Sequence, residues 1–174
     1  SEAVSCLLRE RGHEAVASEE EADILLFNTC SVRDHAEQRV FGKLGLLKRL
    51  KRRKPGLVIG VLGCMAQNHR EALLERLPHV NLVVGPDQLH RLPELIEEAA
   101  GRDTGLVAAD FGSEVGERLA GHEPGGVSAF VSVMRGCDQF CSYCIVPFVR
   151  GREKSRPVPQ ILEEVRQVVR QGAR

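Results

Sequence analysis

The sequence predicts an α/β fold, an open parallel sheet with helices on both faces. Short apolar runs at residues 23–28, 57–62 and 80–84 are continuous rather than alternating, the pattern of strands buried on both faces. Amphipathic stretches separate them, and strands alternating with helices pair in parallel through right-handed crossovers. The chain's 174 residues, 43% hydrophobic and 28% charged, have globular composition and enough length to enclose a core.

Residues 1–11 set Val4, Leu7 and Leu8 on one helical face, and Gly12 stops that helix as a left-handed cap. Residues 23–28 form the first strand. A long polar helix over 31–54 aligns Val40, Phe41, Leu44, Leu47 and Leu50, and Pro55-Gly56 ends it. Residues 57–62 are the second strand, 67–77 a connecting helix and 80–84 the third strand. Another helix, 89–99, turns Leu92, Leu95 and Ile96 inward, and 106–109 is the final strand. From Asp110 to Val127 the chain is rich in Gly, Glu and Ser, with Pro124-Gly125-Gly126 near its end, an interdomain linker. Residues 129–134 then read as a strand that enters a cysteine loop. After Pro157 and Pro159 a helix gathers Ile161, Leu162, Val165, Val168 and Val169 on one face. The expected division is a first domain over 1–109, a linker over 110–127 and the beginning of an incomplete second domain over 128–174.

The 24 basic and 24 acidic side chains cancel, which excludes nucleic-acid binding through overall basicity but leaves room for a local patch. With no Trp, one Tyr and six Phe, an aromatic platform for single strands is also disfavoured. No charged start followed by an apolar stretch opens the chain, and no apolar run approaches a membrane span, so a cytoplasmic monomer with no membrane partner is expected. The chain opens at Ser1 inside a helical pattern, as a fragment whose start is missing would. In the cytoplasm its six cysteines point to metal or redox chemistry rather than to disulfides.

The strongest signal is Cys137-x-x-x-Cys141-x-x-Cys144, three thiols within eight residues. Soft thiolates suit iron–sulfur clusters and zinc alike. A structural zinc site needs four ligands, and a fourth would have to come from a distant residue such as His122. Three thiolates on a 4Fe–4S cluster leave one iron open. Cys30 and Cys64 form a second set, each directly after an apolar strand. Ligands of open parallel sheets bind outside the carboxyl ends of the strands, which would face both thiols into one crevice. The alternative for each is a small buried apolar residue. Cys6, mid-helix beside the apolar face, reads either as a core or semi-buried thiol or as the third member of a second cysteine triad.

The loop around Cys137, Cys141, Tyr143 and Cys144, entered from a strand and followed by a helix, resembles the signature of radical S-adenosylmethionine enzymes. Tyr143 matches its aromatic position. The continuation from Ile145-Val146-Pro147-Phe148-Val149-Arg150-Gly151 to Arg156 resembles one branch of these, the methylthiotransferases. Residues 28–45, opening Asn28-Thr29-Cys30-Ser31-Val32-Arg33, and Gly63-Cys64-Met65-Ala66-Gln67 resemble the tRNA-modifying members.

The resemblance implies two 4Fe–4S clusters. One would be held by Cys137, Cys141 and Cys144 and bind S-adenosylmethionine, with Tyr143 in the cofactor-binding set. The other, auxiliary cluster would take Cys30, Cys64 and a third cysteine upstream of Ser1. It implies transfer of a methylthio group to carbon 2 of N(6)-dimethylallyladenosine at tRNA position 37, with an electron donor such as a flavodoxin or ferredoxin. It also implies that residues 128–174 begin a radical S-adenosylmethionine barrel of partial TIM type, truncated here, so that this chain alone is inactive. Sister branches act on threonylcarbamoyl-adenosine in tRNA or on a ribosomal protein, and both remain alternatives. From other classes, a zinc-stabilised RNA-binding module and a plain iron–sulfur electron carrier also remain.

The basic run Lys48 to Lys54 reads either as a phosphate contact or as a solvated helix end whose charge suits the helix dipole. Arg150, Arg152, Lys154 and Arg156 follow the cysteine loop and lie closer to any substrate or cofactor.

Overall fold

The computed structural model describes residues 1–112, 122 and 127–174. Helix α1 (Glu2–Glu10) precedes strand β1 (Ile24–Thr29), helix α2 (Asp34–Arg53) and strand β2 (Val58–Gly63). Then follow α3 (Cys64–His69), α4 (Glu71–Arg76), β3 (Leu82–Val84), a 3-10 turn (Pro86–Arg91), α5 (Leu92–Ala100) and β4 (Leu106–Ala108). The four strands form one parallel sheet in the order β1-β2-β3-β4. Helices cover both faces, as the alternation of elements requires.

Each face has its own core. On one, Phe41, Leu44, Leu47 and Leu50 of α2 meet Ile59, Val61 and Val83, joined by Met65, Leu73 and Leu77. On the other, Val4 of α1 and Leu92, Leu95, Ile96 and Ala99 of α5 meet Leu62, Leu82 and Val84. Successive residues of a strand point to opposite faces, so the continuous apolar run of β2 feeds both cores. Every residue of β2 is buried.

The structure corrects several expectations. The first strand is only half-buried, because β1 stands at the sheet edge and pairs with β2 alone among the described strands. The connecting helix of 67–77 begins earlier, at Cys64, and breaks at Arg70, whose φ is 48°. Gly12 does take the left-handed conformation, at φ 84°.

After the sheet the chain forms β5 (Met134–Arg135), α6 (Val146–Arg150), β6 (Lys154–Ser155) and α7 (Val158–Arg170). Most of the linker expected over 110–127 lies outside the described residues. The strand expected over 129–134 contracts to β5, which pairs antiparallel with β6 instead of joining a barrel. Its backbone bonds locally because no parallel neighbour is present among the described residues. The apolar face expected on α7 forms, but only Val168 is buried, and Leu162, Val165 and Val169 stay exposed. Among the described residues no helix is long and apolar enough to cross a membrane.

Candidate functional site

The site begins where β1 and β2 end. Thr29 stands opposite Gly63 in the parallel register, so Cys30 and Cys64, the next residue of each segment, leave the sheet at the same level. The Thr29 hydroxyl donates to the Leu62 carbonyl at 2.7 Å and fastens the two ends together. Gly63 has φ 91°, and a Cβ there would come within 2.6 Å of the Thr29 carbonyl oxygen, so glycine alone lets β2 turn directly into α3. Cys64 opens α3 and is buried, whereas Cys30 is exposed and accepts the Val32 amide at 3.5 Å.

A buried polar network supports these two thiols. Glu37 of α2 accepts the Ser31 hydroxyl on one oxygen and meets His69 Nε2 at 2.7 Å on the other. Burial opposes its ionisation, but the bonds from Ser31 and His69 outweigh that and hold the carboxyl below the usual range. Ser31 is the neighbour of Cys30, and His69 ends the helix that Cys64 opens. Glu37 therefore ties both thiol-bearing segments to α2. Gln67, also buried, donates to the Ala109 carbonyl at 2.6 Å and joins α3 to the end of β4.

The cysteine loop lies between β5 and α6. It starts at Gly136, φ 73°, where a Cβ would overlap the Arg152 carbonyl, so a side chain there would force the returning strand away. The Cys137 amide donates to the Gly151 carbonyl at 3.2 Å, and the Cys144 amide to the Cys141 carbonyl at 2.9 Å. Cys137 and Cys144 are half-buried, and Cys141 is exposed. Tyr143 is 91% exposed, so its ring is open to a bound molecule. Phe140 stacks edge-on against Phe148 at 6.0 Å, with the Arg152 guanidinium 4.7 Å over the Phe140 ring.

Helix α6, which follows the cysteine loop, meets the segment that carries Cys64. It packs against α3, with Pro147 and Val149 buried, and its last residue, Arg150, donates from Nε to Cys64 Sγ at 3.4 Å. That bond raises the pKa of Arg150 against the effect of burial. Nothing in the spacing of residues 64 and 150 announces this contact. The Glu37 network was equally silent, since Ser31, Glu37 and His69 form no recognisable motif.

Residues 1–85 match the family described as Uncharacterized protein family UPF0004. The chain is 47% identical, over 94% of its length, to a tRNA-2-methylthio-N(6)-dimethylallyladenosine synthase of Pasteurella multocida, of which it covers 35%. It is 45% identical over its whole length to the synthase of Histophilus somni, covering 37% of that protein. The match to the synthase of Vibrio parahaemolyticus is also 45%, over 94% of the chain and 35% of the relative. The chain belongs to the methylthiotransferase family. It spans about a third of the length of these methylthiotransferase relatives.

The methylthiotransferase reading makes a specific demand of the cysteines. Among the described residues, which include all six cysteines, no disulfide forms, and no three His, Cys, Asp or Glu side chains converge as a metal cage. The donor chemistry fits all the same: the loop offers three soft thiols on one short segment, and the strand ends offer two more. Cys6 lies within α1, whose apolar residues Val4, Leu7 and Leu8 pack toward α5.

His122 is committed elsewhere. Its Nε2 meets Glu164 Oε1 at 2.9 Å, and Arg156 reaches the other oxygen at 2.5 Å. Burial opposes ionisation of Glu164, but His122 and Arg156 outweigh it and hold the carboxyl low. The basic run divides in the same way. Lys51 donates to the Pro55 and Leu57 carbonyls, and Lys54 to the Ala22 carbonyl with an ion pair to Asp23, so both serve the fold. Arg49, Arg52 and Arg53 line an open cavity of about 610 Å³ that also contains Glu19 and Glu20.

Proposed function

We propose that this chain carries the auxiliary-cluster module and the first cluster loop of a tRNA methylthiotransferase that converts N(6)-dimethylallyladenosine at tRNA position 37 to its 2-methylthio derivative. The observation that carries the reading is identity of 45% across the whole chain to proteins named for that synthesis, with the loop thiols and strand-end thiols in place.

In this reading Cys137, Cys141 and Cys144 hold one 4Fe–4S cluster and leave a position for S-adenosylmethionine, with Tyr143 beside the cofactor. Cys30 and Cys64 supply two ligands of the auxiliary cluster. When bound, these groups supply the one-electron and sulfur chemistry that an unactivated aryl C–H bond requires, since acid–base side chains offer no route to it. The chain's own part is positional. Gly63 and Thr29 set the two strand-end thiols level, Glu37 fixes the segments that carry them, and α6, the helix after the cysteine loop, packs on α3. The partners are tRNA and a low-potential electron donor such as a flavodoxin or ferredoxin, and the setting is the cytoplasm.

Anaerobic reconstitution of the whole protein tests the metal. Iron with labile sulfide, and a spectral change on adding S-adenosylmethionine, are expected. Zinc at one per chain without sulfide would sink the reading in favour of a structural metal site. Cys30→Ser is expected to abolish auxiliary-cluster assembly and Cys6→Ser to leave it intact; equal iron loss in both would make Cys6 a ligand. For the substrate, tRNA from cells lacking the protein is digested and analysed by mass spectrometry. Undiminished 2-methylthio adenosine would remove the tRNA assignment.

A further inference from the structure

Four basic residues follow the cysteine loop, and three have conventional partners. Arg152 pairs with Asp138 at 3.6 Å, Lys154 donates to the Gly112 carbonyl at 2.8 Å, and Arg156 is locked to Glu164 and the Ser132 carbonyl. Arg150 differs. Among the described residues no carboxylate pairs with it, and its Nε is directed at the sulfur of Cys64. Its place is set by packing, because α6 is anchored through buried Pro147 and Val149 against the helix that Cys64 opens. A guanidinium keeps its charge at every accessible pH and presents five donors in a rigid plane, so one bond to Cys64 leaves others for a neighbouring anion. Cys30 leaves the sheet at the same strand-end level as Cys64.

We propose that Arg150 is a positioning residue of the auxiliary site, a fixed cation that compensates the anionic sulfur gathered at Cys64 and Cys30. The role rests on the reading of these two thiols as cluster ligands. It also gives the chain a physical link between its cysteine sets, because the segment leaving the cysteine loop supplies the charge that the strand-end thiols need. Cluster thiolates and sulfides accept hydrogen bonds, and such bonds together with nearby positive charge raise a cluster's reduction potential.

The test uses the whole protein with Cys137, Cys141 and Cys144 replaced by Ala, so that only the auxiliary site can load. Iron and labile sulfide per chain, and the midpoint potential followed by electron paramagnetic resonance, are compared for Arg150, Arg150→Lys and Arg150→Gln. The expected result is a lower potential in Arg150→Gln, or at least a fivefold loss of iron with unchanged circular dichroism, and recovery toward the parent in Arg150→Lys. Equal iron and equal potential in all three would overturn the proposal. A second measurement needs no cluster: in the metal-free protein, exposed Cys30 is alkylated with anionic iodoacetate and neutral iodoacetamide. A fixed cation favours the anionic reagent, so the ratio of the two rates should fall at least threefold in Arg150→Gln and recover in Arg150→Lys. An unchanged ratio would overturn the placement of the charge. No iron on the parent protein would overturn the cluster reading itself, and the alkylation ratio then decides the placement of Arg150 separately.

Discussion

Residues 1–109 and 127–174 hold their shape by different means. The first region has a two-sided apolar core in which Leu44, Ile59, Val61 and Leu82 are fully buried. In the second, Pro147, Val149 and Val168 are the apolar side chains of its helices that are buried, while Phe130 is 92% exposed. Charge takes the place of packing there. Arg135 pairs with Asp87, Arg156 with Glu164, and Lys154 reaches the Gly112 carbonyl. The lesson is that a parallel sheet with covered faces supports itself, whereas a two-residue strand pair with largely exposed helices relies on polar ties. The candidate site sits where the two regimes meet, at α3 and α6.

Cutting into the apolar core should produce the largest effect. Leu44→Ala, at a fully buried position facing the sheet, is expected to cost about 4 kcal/mol in urea unfolding. A loss below about 1 kcal/mol would mean that the α2 face is not the core it resembles. Next comes the tie that replaces packing in the second region. Glu164→Ala leaves the charge of Arg156, at 8% side-chain exposure, without its carboxylate and with the Ser132 carbonyl still bonded, an expected loss of about 3 kcal/mol. Hydrogen exchange should show α7 opening while the amides of β2 stay protected; equal loosening of both would erase the contrast between the regions.

Glu37→Gln is a smaller break, at the polar node inside the apolar region. The expected cost is about 2 kcal/mol, because a charge-assisted acceptor is removed from buried Ser31 and half-buried His69. The sign with pH follows from the lowered pKa. Glu37 stabilises the fold fully above the unfolded carboxyl value of about 4.3 and loses that contribution as pH falls through its lower folded value. The variant should therefore show a shallower decline of stability as pH falls below the unfolded carboxyl value. An unchanged slope would deny the carboxylate its role. The smallest effect belongs to the exposed face of α7, where Val169→Ser, at 59% exposure, should stay within about 0.5 kcal/mol. A larger loss would show that something covers that face.

Much of the fold is legible in the sequence. The continuous run of residues 57–62 became the fully buried β2, and Leu92, Leu95 and Ile96 became the inner face of α5. Periodicity reports which side of an element must leave water, and burial then follows. Residues 129–134 misled for the same reason. Strand propensity is local, but pairing needs a neighbour, and the available neighbour was the two-residue β6 in antiparallel sense.

For the site, the sequence by itself determined the donor chemistry: three thiols on one loop, two more at successive strand ends, and the family they resemble. Spacing along the chain suffices for that, because ligands on a short loop are near one another in any fold. Tertiary structure alone decided the rest. It placed Thr29 opposite Gly63 in register, set Glu37 between Ser31 and His69, turned His122 toward Glu164, and directed Arg150 at Cys64. These contacts join residues on separate elements, and their geometry exists only once the sheet has set its register and the helices have packed.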